Sequence, residues 1–276
     1  MKKIEVSPGI EIAYQEKGSG DKYVISMQMG FAPRCSCTEL AENGYHVFML
    51  TNRGMGQSTH VFEDYGEKWF DIFAQDVVAF ADKMGIDKFI YVGASHGAGT
   101  GWHLVLNYPE RVIAFLALVG GPHNISEAKF SYKSLDAAGK LNLKTQGDTD
   151  DEAILRRRAN AQKYKEMHHR ELTEEELKLD YRRPLIKYET EEKVVEILKT
   201  IKTPTLMIGG IEDPISRPDL MLRTAQCLPN CKLILYSKCG HGDLETDIIE
   251  EVVQEELFFL QNVEKTGRIY KEVIED

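Results

Sequence analysis

Residues 89–99 read Phe-Ile-Tyr-Val-Gly-Ala-Ser-His-Gly-Ala-Gly, an apolar β-prone run that passes through Gly-x-Ser-x-Gly straight into a helix-like pattern. A sharp strand-to-helix turn with Ser95 at its apex is expected there. Gly93 and Gly97 remove the Cβ atoms that would crowd such a turn. The start of the following helix offers backbone N–H groups with no intrahelical partner to any developing negative charge. A serine hydroxyl is a poor nucleophile at neutral pH and must be lifted clear of the backbone toward a base. Ser95 is therefore the candidate nucleophile. The pentapeptide alone is a weak pattern, and a glycine-rich turn with an incidental serine is the plain alternative, so its setting has to decide.

The setting is an alternation of strands and helices. Around Ser7-Pro8-Gly9 apolar residues recur every second position, at Ile4, Val6, Ile10, Ile12 and Tyr14, which reads as a β-hairpin. Near-continuous apolar runs follow at 23–27, 45–50, 89–92 and 112–119, as strands buried on both faces require. Helical stripes occupy 73–84 and the stretch from the Ser95 turn to Asn107. After Gly120-Gly121-Pro122 the pattern changes to charge-rich helical segments, two of them opening as capping boxes at Thr149-Asp150-Asp151-Glu152 and Thr173-Glu174-Glu175-Glu176. Strand signals resume at 204–210 and 232–236, with a helix near 219–228 between them and an amphipathic helix over 244–263. The expectation is an α/β chain: a mostly parallel central sheet flanked by helices, formed by 1–122 and 201–276, with 123–200 inserted as a helical cap. Residues 267–276 read as a loosely packed tail.

Bulk properties narrow the function. With 42% hydrophobic and 28% charged residues among 276, the chain reads as an ordinary globular protein, and it contains no run of about 18 apolar residues. Membrane insertion is not expected. The start, Met1-Lys2-Lys3, is positive but lacks the apolar stretch of a signal peptide behind it, so a cytoplasmic location is expected. Five cysteines, an odd number, argue against a disulfide framework. Cys35-Ser36-Cys37 has no second Cys/His pair at zinc spacing, and His168-His169 are adjacent and cannot share one helix face, so no metal and no cofactor are expected. A net charge of −10 repels phosphate backbones and excludes nucleic acid as the natural partner. A small molecule is the expected partner, and nothing in the sequence sets an oligomeric state.

A nucleophile at such a turn needs a base and an acid, which in this strand order follow the serine on loops at the carboxyl ends of later strands. Gly209-Gly210-Ile211-Glu212-Asp213-Pro214 leaves one of those strands with carboxylates, and Gly240-His241-Gly242 follows the next. His241 is the natural base. Asp213 is the expected acid, with Glu212 an adjacent competitor and a helix-capping role for Asp213 the plain alternative. A histidine can take the serine proton and return it to the leaving group while a carboxylate fixes its tautomer. The side chain of His96 should point elsewhere on the helix, leaving its backbone N–H as one oxyanion donor. His123, just past a strand end, is a candidate pocket residue or a structural one.

These features resemble the α/β-hydrolase superfamily over nearly the whole chain. Further matches lie in Arg53-Gly54-Met55-Gly56-Gln57-Ser58, in Asp76-Val77-Val78 through Gly85-Ile86-Asp87-Lys88, and in Tyr108-Pro109-Glu110-Arg111-Val112. The resemblance implies a serine hydrolase acting on a small acyl compound, with Ser95, Asp213 and His241 as its catalytic residues. It also implies a second oxyanion donor after the third strand, where the family often carries His-Gly; this chain has Met29-Gly30, which assigns the donor to the N–H of Phe31. The stretch between Gly30 and Gly44 is short, so the helix there should be reduced, and Thr51 stands where an aspartate is common. Three other readings compete: a nucleotide-binding domain built on Gly97-Ala98-Gly99-Thr100-Gly101, a non-catalytic receptor, and a lyase or perhydrolase using the same three residues. The first is disfavoured because the dinucleotide spacing requires glycine where Trp102 stands.

Overall fold

The computed structural model describes residues 1–30, 35–122, 149–168, 173–179 and 183–267. The hairpin forms as β1 (Lys2–Ser7) and antiparallel β2 (Ile10–Lys17). With β3 (Lys22–Gln28), β4 (Tyr45–Thr51), β5 (Phe89–Ala94), β6 (Val112–Leu118), β7 (Thr205–Gly210) and β8 (Cys231–Tyr236) it completes an eight-stranded sheet, ordered β1-β2-β4-β3-β5-β6-β7-β8. Every pairing from β4 to β8 is parallel, and only β1–β2 and β2–β4 are antiparallel. The fold is thus an α/β architecture with a mostly parallel sheet.

Strand periodicity sorts the core into two layers. On β5, Tyr91 faces the side covered by α2 (Trp69–Lys83) and α3 (His96–Asn107), where Trp69, Phe73, Val77, Phe80 and Trp102 pack. Ile90 and Val92 face the other side, covered by Leu40 of α1 (Ser36–Ala41) and by Val252, Phe259, Leu260 and Val263 of α8 (Ile249–Thr266). This double covering is why the strands read as continuous apolar runs. Trp102 lies fully buried and its ring N–H donates to Gly120 O at 2.7 Å, so the polar atom of a large core side chain is satisfied.

Element boundaries depart from the sequence reading in three places. Helix α2 begins at Trp69 rather than near 73, because the 3-10 turn Gly66–Lys68 leads directly into it and Trp69 and Phe70 are already buried. The last helix does not start at 244: the carbonyl of Asp243 accepts from Thr246, Asp247 and Ile248, which closes a local turn, and α8 begins only at Ile249. Helix α4 (Glu152–His168) is capped by Asp151 rather than by Thr149; the Asp151 carboxylate accepts from the N–H of Ala153 (2.8 Å) and Ile154 (3.2 Å).

Beyond α4, the described residues of 149–200 form α5 (Glu174–Lys178), a 3-10 turn at Ile186–Tyr188 and α6 (Glu191–Leu198), with no strand among them. Helix α7 (Pro218–Cys227) links β7 to β8. Among the described residues no helix is long and apolar enough to cross a membrane.

Candidate active site

Ser95 sits between β5 and α3 with φ +50° and ψ −111°, a backbone conformation that side-chain-bearing residues rarely adopt. Such a residue costs roughly 1–3 kcal/mol and persists only when its surroundings over-determine it. Here they do. Ser95 N–H donates to Leu118 O at 2.9 Å, and a Cβ on Gly93 would lie 2.5 Å from the Gly97 carbonyl carbon. The glycine at 93 is therefore demanded by close approach, while the positive φ falls on the serine itself.

The three residues expected to cooperate are brought together. His241 Nε2 lies 2.9 Å from Ser95 Oγ, and His241 Nδ1 lies 2.8 Å from Asp213 Oδ2. Asp213 is 2% exposed, and its second carboxylate oxygen accepts from the N–H of Ile215 (2.8 Å) and Ser216 (2.9 Å). The local turn-capping role and the contact with histidine therefore coexist, one on each oxygen. Glu212 points to solvent and takes no part. With Nδ1–H donating to the carboxylate, Nε2 is left as the acceptor facing the serine hydroxyl.

His96 opens α3, so its N–H is among the first-turn donors without an intrahelical partner. Its ring turns away from Ser95, packs against Phe70 (5.0 Å between centroids) and Phe73 (5.5 Å), and lies 3.4 Å from the amide nitrogen of Asn52. Burial pushes its pKa down to about 4, so the ring is neutral at neutral pH. Phe31, expected to supply the second oxyanion N–H, lies outside the described residues, as does His123. Gly30, just before Phe31, borders open space, and Met29 is exposed. Helix α1 is only six residues long, the reduction implied by the short stretch after Gly30.

The Arg53 loop is held from below. Arg53 Nε donates to Asp76 Oδ2 at 2.8 Å, and its terminal nitrogen lies 2.5 Å from Oδ1, both groups being buried. Ser58 Oγ donates to Thr51 O at 2.7 Å and accepts from Ala13 N–H at 2.9 Å. The main chain of Thr51 thus closes the loop where its side chain departs from the common aspartate.

Three features escaped the sequence reading. Asp243, buried at 2% exposure, accepts from Gly240 N–H at 2.6 Å and so fixes the turn that carries His241; an acid immediately after Gly-His-Gly was the available signal. Arg157 and Arg158 reach the segment just past that turn: Arg158 makes a two-point ion pair with Asp247, and Arg157 donates to Asp247 O at 3.0 Å and to Glu250 at 3.1 Å. A second histidine–aspartate pair joins His103, farther along α3, to Asp71 of α2. Among the described residues no group of three or more His, Cys, Asp or Glu is placed to hold a metal ion.

The sheet order, the strained serine and the histidine behind it define an α/β-hydrolase architecture. The chain belongs to the family described as "Serine aminopeptidase, S33", whose family model matches residues 30–247. Over 118 residues it is 28% identical to bifunctional epoxide hydrolase 2 of Sus scrofa, covering 41% of this chain and 21% of that protein; it spans about a fifth of that relative's length. Over 258 residues it is 24% identical to a 2-hydroxy-6-oxononadienedioate/2-hydroxy-6-oxononatrienedioate hydrolase of Pseudomonas sp, covering 86% of this chain and 87% of that protein. Among solved structures, a thermophilic esterase from Thermogutta terrifontis superposes with a TM-score of 0.72 at 18% identity, covering 95% of this chain and 99% of that one. That last likeness is one of fold.

Proposed function

We propose that the chain is a serine hydrolase that cleaves a small carboxylic ester, lactone or related acyl compound through an acyl-enzyme on Ser95. The observation that carries this reading is the connected series Asp213–His241–Ser95, with links of 2.8 and 2.9 Å. Ser95 Oγ attacks the carbonyl carbon as His241 Nε2 takes the hydroxyl proton. The bond to the leaving group then breaks, and the imidazolium returns the proton to it. Water attacks the acyl-enzyme by the same route in reverse, releasing the acid and restoring Ser95. Asp213 holds the imidazole tautomer and supports its positive charge. The N–H groups of His96 and Phe31 stabilise the oxyanion, and loss of one such donor costs about 3 kcal/mol of barrier.

In this reading 123–200 forms a cap that selects the substrate, and the ion pairs of Arg157 and Arg158 to Asp247 and Glu250 seat it beside the His241 loop. The five cysteines are all free thiols, which suits the reducing cytoplasm to which we assign the protein. The long alignment with the oxononadienedioate hydrolase supports a second reading, hydrolysis of a related oxo acid by the same three residues. A panel of p-nitrophenyl esters of increasing acyl length, simple lactones and an oxo-dienoate tests both. Turnover that Ser95→Ala abolishes is expected. An unchanged rate in that variant refutes the reading.

A further inference from the structure

Gln28 ends β3, and its main chain and side chain serve different neighbours. On the β4 side its backbone is paired: Gln28 is in register with Thr51, and its carbonyl accepts from Asn52 N–H at 2.9 Å. On the β5 side the parallel ladder carries the rungs Val24↔Ile90 and Ile25↔Tyr91 and then stops. Extending that register three residues sets Gln28 opposite Ala94. There the side chain takes over: with its carboxamide turned so that oxygen faces Ala94 N–H and nitrogen faces Ala94 O, the orientation these partners demand, the two contacts are hydrogen bonds of 2.9 and 3.2 Å. A carboxamide offers the same donor and acceptor pair as a peptide group, so it completes the sheet where the two backbones part.

The position of this rung gives it consequence. Ala94 immediately precedes the strained Ser95. A Cβ on Gly97 would lie 2.6 Å from the Gln28 carboxamide carbon, so Gln28 occupies the space that this glycine leaves. Tyr91 braces the far side of the turn, its hydroxyl donating to Gly97 O at 2.9 Å. In the other direction, the main chain of Gln28 leads in three residues to Phe31. One side chain therefore ties the strand that presents the nucleophile to the end of β3.

We propose that Gln28 is a positioning residue that fixes the Ser95 turn against the end of β3 by supplying the missing rung between β3 and β5. The inference rests on the hydrolase reading above. Without the rung, the N–H and C=O of half-buried Ala94 lose their partners and the turn relaxes. A displacement of about 1 Å at a reacting centre costs up to about 100-fold in rate. The loss should fall on kcat, because the oxyanion forms only after the substrate has bound.

The test compares Gln28→Met, which keeps length and apolar packing but removes both hydrogen bonds, with wild type and with Ser95→Ala on an activated ester. Expected for Gln28→Met are a kcat lowered about 10- to 100-fold, a KM within about twofold, and a matching loss of affinity for a trifluoromethyl ketone transition-state analogue. Thermal melting checks that the variant is folded. Should it fail to fold, Gln28→Glu carries the same test, since it is isosteric, still accepts from Ala94 N–H and sets a second oxygen against Ala94 O. Wild-type kcat in a folded Gln28 variant, or a loss confined to KM, overturns the proposal. Turnover that survives in Ser95→Ala instead removes the hydrolase reading and this inference with it, so the two failures are distinct.

Discussion

His241 and His103 are each held by an aspartate at nearly the same distance, 2.8 Å to Asp213 and 2.7 Å to Asp71, yet they face different neighbours. At His241 the second ring nitrogen meets a serine hydroxyl at 2.9 Å. At His103 it accepts the backbone N–H of Leu185 at 3.1 Å, and Asp71 is further engaged by Lys187 (2.9 Å) and Asn107 (2.7 Å). Burial drives the His103 pKa down against the pull of Asp71. Burial also works to raise Asp71, but the hydrogen bonds from His103, Lys187 and Asn107 hold its carboxyl well below the usual range. The first pair can pass a proton to and from a reacting atom. The second is locked and serves as an anchor for the segment around 185–187 on α2 and α3. A histidine–aspartate pair is thus not a reaction centre in itself; what the outer nitrogen faces decides its use.

The contrast can be broken at either pair. The largest effect is expected for His241→Ala, which should lower kcat on an activated ester by about 10⁵–10⁶ while the melting temperature stays close to wild type. Asp213→Asn should cost about 10⁴ in kcat, because an amide leaves the imidazole in the wrong tautomer; steady-state kinetics at neutral pH reads it. His103→Gln should do the reverse, leaving kcat within a few-fold but destabilising the fold by about 1–3 kcal/mol in urea denaturation, since Leu185 N–H or Asp71 loses a buried partner. Loss of ester turnover in folded His103→Gln would erase the distinction between the pairs.

A smaller effect concerns pH. Burial depresses the pKa of His96 to about 4 and lowers that of His103 against the pull of Asp71, whereas unfolded histidines take up protons near pH 6.5. Their contribution to stability is present above about pH 6.5 and is lost as pH falls from there. His96 alone should give a slope approaching one proton, about 1.4 kcal/mol per pH unit, to which His103 adds, so the slope should be smaller in His103→Gln. Urea melts between pH 7 and 5 measure it, and an unchanged slope in the variant would count against a lowered His103 pKa.

Much of this was legible in the residues. Strands buried on both faces announced themselves as apolar runs, and the order Ser95, Asp213, His241 needed only the rule that loops at strand ends carry the chemistry. The invisible parts depend on residues far apart in sequence that meet through tertiary packing. Lys187 lies 116 positions from Asp71, and Arg158 lies 89 from Asp247. A charged stripe such as Arg156-Arg157-Arg158 reads as solvated until the facing element is known; only Arg156 keeps to solvent. Likewise, nothing local to Gln28 marks it as the rung that closes β3 against β5.

The most direct trial of Ser95 as nucleophile with His241 as its base is covalent labelling by a fluorophosphonate, followed by intact mass and peptide mapping. One adduct per chain on Ser95 is expected, formed at least about 10³-fold more slowly in His241→Ala and at an unchanged rate in His103→Gln. An adduct on another residue, or equal labelling rates in wild type and His241→Ala, would contradict it.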